Sequence, residues 1–595
     1  MQNSNFDLRL SSLKKILKDQ KIDFFILPNS DEFFSEYLPE SQKRIQYVTG
    51  FSGSAASVII GEKKSYFFTD GRYVLQAKNE LDPNEFSIFN IVEKSVLTWL
   101  AENIDAEKTL ALDPKLSNIN FVKTCEKLPG NLIFVDANPV DKIWENHSNL
   151  NNSAIFFCEK NLTGADSISK RNQILENLEA DAVIISKPEN IAWLLNIRAA
   201  DIEYVPLLLT YAILYKNGEI DLFADEKRVT NSRHADLEKV NFIQPNFFDL
   251  RISFLRKTIK KIQIDAASTN YWLYEILQKN NFEIISKIDA IEITKSCKNS
   301  AEIKSMIRAH EVDGLAVTKF LSWLDISLKN GVEIDEISAA EKLLNFRKEH
   351  ADFLYPSFAS ISGFASNGAI IHYHANHKTN KKITGDSLYL IDSGGQYFGE
   401  EFFGTTDVTR TIAIGKPTAE MIENFTRVLK GHISLARAKF PVGTSGVQLD
   451  VLARSHLWQA QKDYDHGTGH GVGSFLSVHE GPCGISKRGH QPLLPGMILS
   501  NEPGYYLEGG YGIRIESLML VEEYDVKFLR FKTLTMAPID PNLIDFKMMT
   551  YPEKTWLRDY HEKLVQSFSN KLEHENMLWL KAVLEVFEER CNIPN

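Results

Sequence analysis

The sequence predicts an α/β (α+β) chain in which two related α/β domains precede a larger unit that carries the chemistry. Three observations point there. A pattern of helix, apolar strand and hairpin occurs twice before Asp225, a capped amphipathic helix opens a new unit at Asn299, and beyond it acidic and histidine residues recur on strand ends and glycine turns. At 595 residues the chain also exceeds what one hydrophobic core supports.

In the first copy Phe6, Leu10, Leu13 and Leu17 recur at helical spacing and lead into the strand-like Phe24-Phe25-Ile26-Leu27. Ser57 to Ile60 and Tyr66 to Thr69 then flank the turn Gly61-Glu62-Lys63-Lys64. In the second copy Ala182 to Ile185 takes the place of the early strand, and Tyr211 to Tyr215 with Ile220 to Ala224 form the hairpin. Asn217-Gly218 closes it, because that dipeptide tolerates the positive φ of a tight turn. The exits match as well, Phe67-Phe68-Thr69-Asp70 against Leu222-Phe223-Ala224-Asp225. Domains are therefore expected at 1–150 and 151–297, the first ending near Asn138-Pro139 and the polar stretch Asn146 to Ser153.

A third domain, 298–540, opens on Asn299 as N-cap with Glu302 at the capping-box position, heading a helix through Ile303, Ile307, Val312, Leu315 and Phe320. The segment 541–595, with Trp556, Tyr560, Leu564, Phe568, Leu572 and Trp579, reads as helices packing back onto it.

Composition narrows the partners. A net charge of −11 opposes a phosphate backbone as ligand, so no nucleic acid is expected. Cys125, Cys158, Cys297, Cys483 and Cys591 are odd in number and contain no CxxC pair, which reads as reduced, mostly buried thiols. No 18-residue apolar run occurs and the opening Met1-Gln2-Asn3-Ser4-Asn5 lacks a signal-peptide core, so a cytoplasmic protein with no membrane partner is expected.

Four stretches of the third domain carry the chemistry. Leu388 to Ile391 is an apolar strand ending on Asp392, and Thr405 to Thr411 is a second strand holding Asp407; a hairpin would bring the two carboxylates together. His466-Gly467-Thr468-Gly469-His470-Gly471-Val472-Gly473 spaces its histidines four apart yet is too glycine-rich for a helix, and reads as a backbone-tight loop. Asn501-Glu502-Pro503-Gly504-Tyr505 precedes Ile513-Arg514-Ile515-Glu516, where strand alternation puts Arg514 and Glu516 on one face. Asp392, Asp407, Glu502 and Glu516 beside one imidazole would repel one another in a low-dielectric cleft without cations. Two divalent metals answer that repulsion, and oxygen ligands with a single nitrogen favour Mn, Mg or Co-like ions, manganese being the first choice.

These motifs resemble the pita-bread metallopeptidases, a group that includes methionine aminopeptidase, prolidase, creatinase and aminopeptidase P. Asn367-Gly368-Ala369-Ile370-Ile371-His372-Tyr373, Thr405 to Thr411, His466 to Gly473, Val478-His479-Glu480-Gly481-Pro482 and Asn501 to Tyr506 are most similar to the cytosolic three-domain aminopeptidase P proteins. Thr69 to Tyr73, Ile191 to Arg198 and Trp556-Leu557 with Tyr560-His561 extend the likeness along the whole chain. The resemblance implies two creatinase-N-like domains before a pita-bread catalytic domain, and a homodimer. It also implies hydrolysis of the N-terminal Xaa-Pro bond of peptides with proline at the second position, through a hydroxide bridging two metal ions.

By the same resemblance, the metal ligands are Asp392, Asp407, His470, Glu502 and Glu516, with Asp407 and Glu516 as bridging carboxylates. His372, His466 and His479 match the catalytic and substrate-binding histidines, Glu502 is the nearest general base, and Arg514 and Phe358 match the walls of a proline pocket. Two departures stand out: Tyr397 to Phe403 makes the Asp392–Asp407 hairpin longer than usual, and Ala375 stands where proline is common.

Each residue taken singly has a plainer reading. A buried Asp at a strand end is usually a cap and a histidine on a glycine loop is usually structural. It is the five ligand types in order that outweigh this. For Asp70-Gly71-Arg72-Tyr73 a turn with a packed Tyr is preferred, for Glu400-Glu401 solvated surface, and for Trp193 and Trp458 core. A prolidase, restricted to dipeptides, is the alternative enzyme. A binding module of the same fold would have lost metal ligands, and creatinase-like hydrolysis would not need them.

Overall fold

In a computed structural model of the chain, residues 3–145, 152–231 and 234–591 are described, and they form two compact units, Met1–Ile291 and Glu292–Asn595. The 150/151 boundary, most of the stretch Asn146 to Ser153 and the opening Met1-Gln2 lie outside the described residues.

The first unit contains two six-stranded sheets. One is built from β1 (Phe24–Pro28), β2 (Ser57–Gly61), β3 (Ser65–Thr69), β4 (Phe86–Asn90), β5 (Thr109–Leu112) and β6 (Asn131–Phe134), in the order β4-β3-β2-β1-β5-β6. The other is built from β7 (Ala182–Ile185), β8 (Ala212–Tyr215), β9 (Ile220–Leu222), β10 (Val240–Phe242), β11 (Lys261–Ile264) and β12 (Glu283–Ser286), in the order β10-β9-β8-β7-β11-β12. The two central hairpin pairings are antiparallel and the three outer pairings parallel in both sheets, so the repeat seen in the sequence is a repeat of topology. Gly218 takes φ +83° in the turn between β8 and β9, as Asn217-Gly218 requires.

The strands are apolar on both faces because both faces are covered. Phe25, Leu27, Val58, Ile60 and Phe67 pack under Leu10, Leu13 and Leu17 of the helix Asn3–Asp19, while Ile26, Ile59, Phe68 and Leu110 pack under Trp99, Leu100 and Val122. Asp70 accepts from both Nε and Nη2 of Arg72 in a tight turn, and Tyr73 is buried there. Trp193 is core, but Trp458, the last residue of the helix Gly446–Trp458, is 44% exposed.

The first long helix of the second unit is Ser300–Lys329, capped by Asn299 and Glu302 reciprocally. Its strands are β13 (Phe353–Pro356), β14 (Ile361–Phe364), β15 (Ser387–Ser393), β16 (Gly395–Phe398), β17 (Phe403–Thr405), β18 (Val408–Ile414), β19 (Lys439–Pro441), β20 (Gly469–Gly471), β21 (Glu480–Ile485), β22 (Ile498–Asn501), β23 (Gly504–Leu507), β24 (Tyr511–Arg514), β25 (Ser517–Glu523) and β26 (Phe528–Thr533). They form a β13-β16-β17 sheet, a β14-β15-β18 sheet, a six-stranded β19-β26-β25-β22-β20-β21 sheet and the β23-β24 pair. The helices Ala419–Ala436, Tyr551–Phe568 and His574–Cys591 cover them, and Phe425, Leu429, Leu557, Leu564 and Leu580 share one core with Leu388, Ile513 and Ile515. All five cysteines are free thiols. Among the described residues no helix is long and apolar enough to cross a membrane.

Candidate metal centre

Five strand ends deliver the five expected ligands. Asp392 lies near the end of β15, Asp407 one residue before β18, His470 within β20, Glu502 one residue after β22 and Glu516 one residue before β25. In the β15–β18 hairpin Asp392 faces Thr409, and Thr409 ties the strands together: its hydroxyl donates to Glu516 Oε2 at 2.8 Å and accepts from Arg514 Nε at 3.1 Å. The strand carrying Arg514 and Glu516 breaks between β24 and β25, yet the alternation persists. Both polar side chains meet Thr409, while Ile513 and Ile515 sit in the core.

One ligand atom each from Asp407, His470 and Glu516 lies within 4.8 Å of the other two. His470 Nδ1–H donates to the Gly471 carbonyl at 2.9 Å, which leaves the Nε2 lone pair turned to the carboxylates. That nitrogen is 3.5 Å from both Asp407 Oδ2 and Glu502 Oε1. Asp392 Oδ2 accepts from Arg514 Nη2 at 2.6 Å, but its Oδ1 is buried without a hydrogen-bond partner. Burial, and then the charges of Asp392 and Glu502, push the carboxyl of Asp407 well above the ordinary range. Burial, and then Asp407, do the same to Glu516. Orphaned and crowded carboxylate oxygens around one oriented imidazole are what divalent cations would satisfy, so the residues fit a metal site.

The comparisons with known proteins agree. The model of metallopeptidase family M24 matches residues 304–523 and that of its C-terminal region 527–585, while two creatinase/prolidase N-terminal domain models match 9–143 and 146–302. Xaa-Pro aminopeptidase 1 of Dictyostelium discoideum is 37% identical over 96% of this chain and 95% of its own length. The chain belongs to the Xaa-Pro aminopeptidases of metallopeptidase family M24. A solved X-prolyl aminopeptidase from Caenorhabditis elegans, described as a cytosolic enzyme with a di-nuclear active site, superposes with a TM-score of 0.91 at 31% identity, covering 97% of this chain and 99% of that one. The fold is thus creatinase-N-like domains followed by an M24 pita-bread domain.

In this M24 chain the stretch expected to be a loop at His466–Gly473 is in part a strand. Gly469–Gly471 is β20, wedged between β21 and β22, because its glycines let the backbones close in: a Cβ on Gly469 would stand 2.0 Å from Ser500 O and one on Gly471 2.2 Å from Glu480 O.

His479 stands edge-on to His470 with ring centroids 4.2 Å apart. His466 Nδ1–H donates to Gly467 O at 2.8 Å and its Nε2 accepts from the Tyr506 hydroxyl at 2.9 Å, so both ring nitrogens are engaged by protein groups. Arg514 donates to that same Tyr506 oxygen at 2.8 Å and is fully buried, which makes it a support for Asp392 and Tyr506 before it is a pocket wall. His372 is half-buried and follows Ile371, whose carbonyl faces Arg514 Nη1 at 3.4 Å. Phe358 is buried beside Ser357, whose hydroxyl donates to Thr406 O next to Asp407. The long hairpin puts its extra length into the tip: Gly399 N–H donates to Phe402 O, Phe402 is buried, and Glu400 and Glu401 are exposed. Ala375 packs against Ile361, Tyr373 and Leu390.

Several supports had no signal of their own in the sequence. Ser500 Oγ donates to Glu502 Oε1 at 3.1 Å. Glu480, next to His479, is gripped by the buried ammonium groups of Lys295, at 2.6 Å, and Lys298. Burial alone would raise the Glu480 carboxyl; the two lysines hold it below the ordinary range.

Proposed function

We propose that this metal-dependent aminopeptidase removes the first residue from peptides whose second residue is proline, in the cytoplasm, with two divalent ions, manganese first among them, and as a homodimer. The observation that carries the reading is the grouping of Asp407, His470 and Glu516, with Glu502 3.5 Å from the same imidazole and an orphaned carboxylate oxygen on Asp392, in a chain that matches Xaa-Pro aminopeptidases along nearly its whole length. We also infer four parts, 1–150, 151–297, 298–540 and 541–595, supported by the two sheets and the capped helix at Asn299.

Ions held by those five residues would lower the pKa of water and polarise the scissile carbonyl. Glu502, with Ser500 fixing one oxygen, receives the proton of the attacking water and returns it to the leaving imino nitrogen of proline. His479 donates to the developing oxyanion, and His372 and His466 orient the peptide. Substrate contact at His466 requires the Tyr506 or the Gly467 bond to open. Phe358 and Arg514 flank the proline side of the site.

Substrate length tests the reading. With manganese present, Arg-Pro-Pro and longer peptides beginning Xaa-Pro should lose their first residue, and Xaa-Ala peptides should remain intact. Cleavage of Xaa-Pro dipeptides alone would make the enzyme a prolidase, and no cleavage of either would reopen the binding-module reading.

A further inference from the structure

His372 sits in the connection between β14 and β15, residues 365–386, much of which is exposed from His374 to Thr379. A loop of that length has too much conformational freedom to hold a substrate-orienting imidazole unaided. Glu336, the first residue of the helix Glu336–Lys348, is fully buried against it. Its Oε1 accepts from the Phe364 backbone N–H at 2.7 Å and has Asn367 Nδ2 at 2.9 Å. Its Oε2 accepts from the Tyr373 hydroxyl at 2.9 Å and the Lys381 backbone N–H at 2.9 Å, with Asn367 Nδ2 at 3.0 Å. One carboxylate thus holds the start of the loop, its return, and the residue directly after His372. The backbone of Glu336 joins in: its N–H donates to Lys381 O at 3.1 Å and its carbonyl accepts from Ser362 Oγ at 2.6 Å.

The loop is also pressed onto β24. A Cβ on Gly512 would stand 1.7 Å from Gly368 O, and Ile371 O faces Arg514. The segment Asn367–Tyr373 is therefore clamped both by Glu336 and by the strand that supports Asp392.

We propose that Glu336, acting with Asn367 and Tyr373, is the positioning residue for His372, and through it sets the affinity of the site for the N-terminal part of the peptide. The inference rests on His372 being a substrate-orienting residue. Buried carboxylates that accept several hydrogen bonds are common as caps, and Glu336 does stand at a helix start. A cap, however, would bond its own first-turn amides; every partner of the Glu336 carboxylate lies instead between Phe364 and Lys381.

The test is a double-mutant cycle on the metal-loaded, full-length enzyme with an Xaa-Pro-Pro tripeptide. Glu336→Gln, which sets an amide N–H2 against donors, should keep bound metal, lower the thermal midpoint by a few degrees because buried donors lose their acceptor, and lose about 10²-fold in kcat/KM, mostly in KM, the size expected from a misplacement near 1 Å. Glu336→Asp should recover part of the loss. In a His372→Ala background Glu336→Gln should cost less than about twofold, because its path is already cut. A full, additive loss in that background, or no loss in either, overturns the proposal while leaving the aminopeptidase reading intact, provided His372→Ala itself is impaired. Tyr373→Phe, which removes one donor and no charge, follows the same cycle if Glu336→Gln fails to fold. A readout independent of activity is amide hydrogen exchange: Glu336→Gln or Tyr373→Phe should speed exchange at 370–374 while leaving β15 and β18 protected, and unchanged exchange there counts against the clamp even if the enzyme proves inactive.

Discussion

At the scale of single residues, position within the carboxylate cluster separates binding from turnover. Asp407 is buried, crowded and part of the three-residue group that would share an ion, so Asp407→Ala should lose metal and activity together. His479 stands edge-on to the His470 ring and is not one of the five proposed ligands. His479→Ala should keep its metal and lose about 10²-fold or more in kcat, the size seen when an oxyanion donor is removed. Metal analysis beside steady-state kinetics checks both. A His479→Ala enzyme that has shed its metal, or an Asp407→Ala enzyme that keeps it, would exchange the two roles. Buried supports such as Arg514 belong to neither class; its guanidinium joins Asp392, Thr409 and Tyr506, and a Lys there would lose the fork that reaches all three.

At the scale of elements, the site depends on how closely strands approach. β20 holds His470 between β21, which begins one residue after His479, and β22, which leads to Glu502, so these two pairings set three of the proposed site residues. Gly471→Ala puts a methyl group 2.2 Å from the Glu480 carbonyl oxygen and 2.7 Å from the Cys483 sulfur, so backbone as well as a side chain must give way. We expect a loss of about 1–3 kcal/mol in stability from overpacking, together with weaker metal binding from a displaced His470. Thermal unfolding and metal titration of the variant measure these, and a fully wild-type titration would mean that β20 has more slack than its contacts suggest. The helix Tyr551–Phe568 reaches the same layer: Tyr560 accepts from Arg410, whose Nη1 donates to the carbonyls of Thr409 and Glu516. The region beyond residue 541 is thereby part of what fixes the strands beside Glu516, one of the proposed ligands.

At the scale of the whole molecule, all five proposed ligands lie in the unit Glu292–Asn595 and none in Met1–Ile291. A metal that binds only the folded state stabilises it by mass action, about 2.7 kcal/mol at a hundredfold excess over Kd. Chelation should therefore lower the thermal transition of the second unit by several degrees and leave that of the first in place. Differential scanning calorimetry with and without chelator reads the two, and an equal shift in both would place a metal outside the cluster described above.

Much of this was legible in the amino-acid order alone. The repeat was visible because apolar runs such as Phe24 to Leu27 and Ala182 to Ile185, and turns such as Asn217-Gly218, are local signals that need no partner. The capping box at Asn299 and the ordered acidic and histidine motifs were local too. Tertiary structure decided what depends on contacts across the chain. It turned part of the His466–Gly473 loop into a strand, because neighbouring backbones close on glycines that have no side chain to hold them off. It left Trp458 in solvent, since a tryptophan at a helix end is buried only if another element arrives to cover it. It gave Arg514 and His466 protein partners, and it set Glu336 and the Lys295–Glu480–Lys298 group behind the site. A buried charge has no periodicity to betray it; its meaning lies in the partners that desolvation forces it to find, and those are fixed only when distant segments pack.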